Sequence, residues 1–183
     1  MNKKIFEFKA KTEEIEKYES KLQTLSPTFR GLDHQIDTYF NVPKGRLKLR
    51  EGNIENALIN YDRENIAGAK ESRVILYKHQ PNVALKEILS HQLGIKVVVD
   101  KKRKIYFVDN VKIHFDRVEK LGTFLEVEAI DSNGSFTIEY LKQQCVEFLD
   151  FFGLSKDALI DKSYSDLILE LNEGDDGNDN QIG

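Results

Sequence analysis

The chain has 183 residues, of which 32% are charged and 40% hydrophobic, and its formal net charge is −4. That length suits one domain with a substantial core. The acidic balance argues against general nucleic-acid binding but allows a local basic cavity. A single cysteine, Cys145, excludes an intramolecular disulfide and a cysteine-rich zinc site, and reads as a small buried residue. No apolar run is long enough to span a membrane, and the N-terminus lacks the apolar stretch of a signal peptide. A cytoplasmic protein with no membrane partner is expected.

Residues 4–11 predict a first strand, with Phe6, Phe8 and Ala10 on one face and Ile5, Glu7, Lys9 and Lys11 on the other. Residues 12–25 predict an amphipathic helix with Thr12 as N-cap, Ile15, Tyr18, Leu22 and Leu25 at helical spacing, and Pro27 as its stop. Residues 34–42 predict a strand in which Gln35, Asp37 and Tyr39 share a face. The Pro43-Lys44-Gly45 turn then leads into a second strand, so the two form a hairpin. Further strands are expected over 57–64 and 72–79, on either side of a loop that carries Lys70. A helix over 82–93 ends at Gly94. Three long strands follow over about 96–108, 111–119 and 123–130, then a helix over about 136–152. Residues 163–171 read as a short helix or strand, and the tail 172–183 reads as disordered and acidic.

The stretch Gly45-Arg46-Leu47-Lys48-Leu49-Arg50-Glu51 sets the theme. Its cations alternate with leucines at the period of a strand, so Arg46, Lys48 and Arg50 line one face. Lys9, Arg63, Lys101, Arg103 and Lys112 repeat the placement, and so do the carboxylates Glu7, Asp116, Glu126 and Glu128. Lys102 and Lys104 fall on the opposite face. Two architectures satisfy this pattern. The ionic faces can point to solvent around an apolar core. Alternatively, a closed antiparallel barrel turns them inward, and helices cover its apolar outside. Charges turned into a narrow cavity require opposite charges, water or a ligand to compensate them. A triphosphate with divalent cations would do so: arginine and lysine neutralise its oxygens, and clustered carboxylates hold Mg²⁺ or Mn²⁺.

In order and spacing, several fragments resemble the CYTH superfamily, the triphosphate tunnel metalloenzymes, and within it the class IV adenylate cyclase-like branch. They are Glu7-Phe8-Lys9-Ala10, Gln35 through Phe40, Gly45 through Glu51, Tyr61-Asp62-Arg63, Lys101-Lys102-Arg103, Ile113 through Asp116, Leu121 through Glu128 and Ser163 through Asp166. The resemblance implies an α+β fold in which eight antiparallel strands form a closed tunnel with helices packed outside, as one domain over residues 1–171. It implies that Lys9, Arg46, Lys48, Arg50, Arg63, Lys101 and Arg103 contact phosphates. It implies a Mg²⁺ or Mn²⁺ site built from Glu126 and Glu128 with Glu7, and Asp116 is a further carboxylate for it. The family's first strand reads Glu-x-Glu-x-Lys, whereas here Ile5 stands in place of the first glutamate.

His114, Asp116 and Lys9 are the catalytic candidates. An imidazole titrates near neutrality, which suits acid–base work. The competing reading of His114 is an inward polar residue bonded to Asp116 or a neighbour. Asp37 and Tyr39 either touch ligand or orient the basic residues. Lys70 either closes over phosphate or is solvated, and Tyr164 either caps a tunnel mouth or packs the C-terminal segment. The resemblance implies conversion of ATP to cyclic AMP and pyrophosphate, with a triphosphatase acting on tripolyphosphate, thiamine triphosphate or a nucleotide as the alternative. The missing glutamate keeps a non-catalytic polyphosphate-binding module open. A homodimer formed through outer barrel surfaces also stays open.

Overall fold

The structure, a computed structural model, describes residues 4–62 and 73–176. Strand β1 (Lys4–Lys11) is followed by helix α1 (Ile15–Leu22), which ends in a single 3₁₀ turn. Strands β2 (Thr28–Phe40), β3 (Arg46–Gly52), β4 (Ala57–Asp62) and β5 (Arg73–Lys78) come next. Helix α2 (Val83–Leu93) precedes β6 (Ile95–Val108), β7 (Val111–Val118) and β8 (Gly122–Asp131), which α3 (Ile138–Phe152) and α4 (Tyr164–Asp176) follow.

The termini of the helices follow from their sequences. The Thr137 hydroxyl accepts the Tyr140 N–H at the start of α3, and the Asn82 side chain accepts the Ala84 N–H at the start of α2. Gly94 ends α2 with φ 68°, and its N–H donates to the Ser90 carbonyl. The expected cap at Thr12 is displaced. Helix α1 starts at Ile15, and the Thr12 hydroxyl accepts the Glu14 N–H from outside the helix.

All the described strands join one antiparallel sheet in the order β1-β8-β7-β6-β2-β3-β4-β5. The sheet curls strongly, so that residues from both ends line one cavity. Among the described residues β1 and β5 do not pair, so the expected closed barrel is an open, strongly curled half-barrel. Near its end, the free edge of β1 meets the C-terminal segment instead. Ala10 bridges Leu159, and the Ile160 N–H donates to the Lys9 carbonyl at 2.8 Å.

Two apolar clusters hold the sheet. On the outside of β1, β8 and β7, Phe6, Phe8, Ile113, Phe115, Leu125 and Val127 pack against Ile15 and Leu22 of α1 and Leu141, Cys145, Phe148 and Phe152 of α3. Cys145 is buried there, as expected, and truncating a leucine such as Leu141 to alanine would cost about 2–5 kcal/mol. The second cluster lies inside the curl. Tyr39, Ile59, Tyr61, Val97, Val99 and Phe124 meet Tyr164 and Ile168 of α4. Helix α4 therefore plugs one end of the half-barrel and does not cover its outside. It runs to Asp176, five residues past the expected boundary at 171, so residues 172–176 are helical.

Candidate functional site

Strand pairing fixes which side chains face the lumen. Glu7 lies opposite Glu128 and Lys9 opposite Glu126 across β1 and β8. Lys112 lies opposite Glu128 and His114 opposite Glu126 across β8 and β7, and Arg103 lies opposite Asp116 across β7 and β6. Gln35 lies opposite Lys101, and Asp37 lies opposite Arg50. Directly paired residues share a face. The inward architecture is therefore the one adopted, while Lys102 is exposed outside and Lys104 bonds Glu19 of α1. Glu7, Lys9, Lys48, Arg50, Lys101, Arg103, Lys112, Glu126 and Glu128 line one cavity of about 830 Å³.

The cations are organised by buried carboxylates. Asp37 accepts from Arg50 Nε at 2.8 Å and Nη2 at 2.9 Å, from Lys48 Nζ at 3.1 Å and from Lys101 Nζ at 2.7 Å. Burial alone would favour the neutral acid, but Arg50, Lys101 and Lys48 overcome it and hold Asp37 well below the carboxylate range. Asp37 therefore orients the basic row. Lys101 pays for the crowding: burial, opposed by Asp37 and aided by Arg50 and Arg103, pulls its ammonium down to about 7. On the other wall Arg103 donates to both oxygens of Asp116, at 2.7 and 2.6 Å, and to Glu126 Oε2 at 2.8 Å.

Three sequence expectations need correction or qualification. Asp116 lies outside the group of His114, Glu126 and Glu128: Arg103 takes both its oxygens, the Tyr164 hydroxyl shares one at 2.7 Å, and it is fully buried. Arg46 does not line the main cavity. It is tied to Ser163 at 2.6 Å and Asp166 at 2.9 Å, at the end plugged by α4. Arg63 and Lys70 fall outside the described residues. Lys9 does face the cavity, with its ammonium 4.1 Å from the centre of the Tyr164 ring. Tyr164 thus both packs the C-terminal segment and forms part of the cavity wall.

The acidic wall meets the requirements of a cation site. One ligand atom each from His114, Glu126 and Glu128 lies within 4.8 Å of the others. Burial, with Glu126 and Glu7 nearby and despite Lys112, pushes Glu128 up to about 7. His114 is fully buried, and among the described residues neither of its ring nitrogens has a hydrogen-bond partner. Nδ1 is 3.8 Å from Glu128 Oε1, so the alternative of a ring bonded to Asp116 or a neighbour is not realised among the described residues. Burial, then Arg103 and Lys112, hold the imidazole neutral by lowering its pKa well below the usual value. A repulsive carboxylate pair beside an imidazole without a hydrogen-bond partner among the described residues fits a divalent cation at the His114, Glu126 and Glu128 group.

One cavity feature was not read from the sequence. Glu55, in the turn between β3 and β4, reaches across the lumen to Lys112 at 2.6 Å and Arg50 at 3.1 Å. Turn residues carry no strand periodicity, so nothing local marked it. Ile5 lines the cavity beside its cross-strand partner Ile130, so the position of the missing glutamate belongs to an apolar rim.

The fold and cavity define a class: a curled antiparallel tunnel domain whose cationic and acidic walls face each other. The CYTH domain family matches residues 4–164, and the chain belongs to that family. A Methanocaldococcus jannaschii protein named "Putative adenylate cyclase" is 29% identical over 171 residues, covering 88% of this chain and 96% of that protein. The solved structure of a Pyrococcus horikoshii protein superposes with a TM-score of 0.77 at 26% identity, covering 91% of this chain and 99% of that one. A Hippeastrum protein, described as a "Putative adenylyl cyclase" that reveals a dominant triphosphatase activity, shares the fold with a TM-score of 0.58 at 15% identity, covering 84% of this chain and 89% of that one. Among the described residues, no helix is long and apolar enough to cross a membrane.

Proposed function

We propose that this protein is a divalent-metal-dependent enzyme acting on a triphosphate, with ATP to cyclic AMP and pyrophosphate as the first assignment. The observation that carries it is the single cavity in which Lys48, Arg50, Lys101 and Arg103 face Glu7, Glu126 and Glu128. Fixed cations stabilise charge on a phosphate chain without reorganising during the reaction. Asp37 holds three of them in place, so the cost of ordering them is met in the fold. In the assigned reaction the ribose 3′-oxygen bonds to the α-phosphorus, the bond to the bridging oxygen breaks, and the hydroxyl proton ends on solvent. The basic wall neutralises the departing pyrophosphate. Mg²⁺ or Mn²⁺ on Glu7, Glu126 and Glu128 would supply Lewis-acid polarisation of the phosphate. The cavity volume, about 830 Å³, falls in the range of about 300–1,000 Å³ typical of sites for organic ligands, and the rim of Ile5, Phe107 and Ile130 offers apolar surface to a nucleoside. The name of the Methanocaldococcus jannaschii relative agrees with this assignment.

Hydrolysis is the second reading, because the same walls serve water attack on a terminal phosphorus and the fold hosts triphosphatase activity in the Hippeastrum protein. The test is turnover of ATP and of tripolyphosphate with Mg²⁺ and with Mn²⁺, resolving cyclic AMP, pyrophosphate and orthophosphate, with Glu126→Gln as control. Cyclic AMP with pyrophosphate, lost in the variant, supports the cyclase. Orthophosphate without cyclic AMP selects the triphosphatase. Binding without either product selects a non-catalytic module.

A further inference from the structure

The phosphate-binding wall already contains an anion of the protein's own. Glu55 Oε1 accepts from Lys112 Nζ at 2.6 Å, and Oε2 accepts from Arg50 Nη1 at 3.1 Å and from Gln35 Nε2 at 3.3 Å. Arg50 is on β3 and Lys112 on β7, and β2 and β6 lie between these strands in the sheet. The carboxylate therefore spans the concave side of the half-barrel, bridging two cations as a phosphate would.

The turn that presents Glu55 is built with care. Asp33, fully buried, accepts the N–H groups of Ile54 at 2.8 Å and Glu55 at 3.0 Å. Asn56 exchanges two bonds with the backbone of Gly52. A Cβ at Gly52 would meet Asp33 Oδ1 at 2.7 Å and the Glu55 carbonyl at 2.8 Å, so only glycine fits. The Glu55 side chain nonetheless stays 30% exposed, so it can leave its partners without unpacking the core.

We propose that Glu55 is an intramolecular competitor for the phosphate site, displaced from Arg50 and Lys112 when the phosphate chain binds. It sets affinity and rejects weaker anions. A monoanion has too little charge to displace a carboxylate bridging two cations, whereas a polyphosphate does not. This inference rests on the proposed triphosphate site.

Calorimetric titration of tripolyphosphate, with and without Mg²⁺, tests it on the wild type, Glu55→Gln and Glu55→Asp. Glu55→Gln keeps the shape and removes the charge, and it is expected to bind about tenfold tighter or more, since loss of even one charge-assisted contact would give that much. Glu55→Asp retains the charge on a shorter arm and is expected to fall between. The unliganded Glu55→Gln protein should melt lower, since Arg50 and Lys112 lose a counter-charge, but tripolyphosphate should raise its melting temperature by more than in the wild type. A purely structural role predicts the lower melting temperature with equal or weaker binding, and that result would overturn the inference while leaving the triphosphate site intact. No binding by any form, with or without Mg²⁺, would overturn both.

Discussion

Arg103 and Asp116 are locked side by side at the centre of the half-barrel, with the guanidinium Nε and Nη2 on the two carboxylate oxygens at 2.7 and 2.6 Å. The same Nη2 reaches Glu126 at 2.8 Å. One arginine thus joins a structural carboxylate to a member of the acidic wall. Asp116→Asn should lower stability by about 3 kcal/mol in urea unfolding, because it leaves a buried cation partly uncompensated. It should leave the divalent-ion concentration for half-maximal activity unchanged. A shift in that concentration would return Asp116 to the metal site.

Glu126→Gln and Glu128→Gln should behave the opposite way. Each removes charge from the His114–Glu126–Glu128 group. Each is expected to raise the Mg²⁺ or Mn²⁺ requirement by about tenfold or more, read by metal titration of triphosphate binding. Glu128→Gln should also raise the melting temperature of the metal-free protein, since it relieves repulsion with Glu126 and Glu7.

Triphosphate affinity should depend on pH near neutrality. In the free protein the Lys101 ammonium titrates at about 7. A bound polyanion favours the charged form and raises that pKa, so binding takes up a proton above pH 7. Affinity is therefore greatest below pH 7 and falls as pH rises through it. Calorimetry in buffers of different ionisation enthalpy measures the uptake at pH 8, and Lys101→Arg should reduce it to the share taken by Glu128, whose carboxyl is also pushed up to about 7.

Acid should unfold the protein through its buried carboxylates. Burial works against ionisation of Glu55, but Lys112 and Arg50 hold its carboxyl down at about 2, against 4.5 ordinarily, and Asp37 and Glu126 are lowered as well. The unfolded chain then binds protons first as pH falls, so the stability these groups contribute is full above about pH 4.5 and is lost toward pH 2. Thermal melts between pH 6 and pH 2 should show this decline, and Glu55→Gln should flatten part of it.

The alternation of charged and apolar residues was enough to place Lys48, Arg50, Lys101, Arg103, Glu126 and Glu128 on common strand faces. This is because side-chain direction in a strand is set by local geometry with a period of two. The departure at Ile5 was visible in the same way. Sequence could not say that Asp116 and Arg46 have internal partners, since Tyr164, Ser163 and Asp166 arrive from α4 and the residue before it, distant in the chain. Nor could it mark Glu55, whose position depends on a turn held by Asp33.

The sequence by itself determined the strands, their two chemically distinct faces and the family. Only the tertiary structure decided that the ionic faces turn inward, that α4 plugs one end, and which carboxylates pair with which cations. Those outcomes depend on sheet curvature and on contacts between residues far apart in the chain. A row of lysines and arginines reads the same on a solvated sheet as in a tunnel until the sheet bends around it.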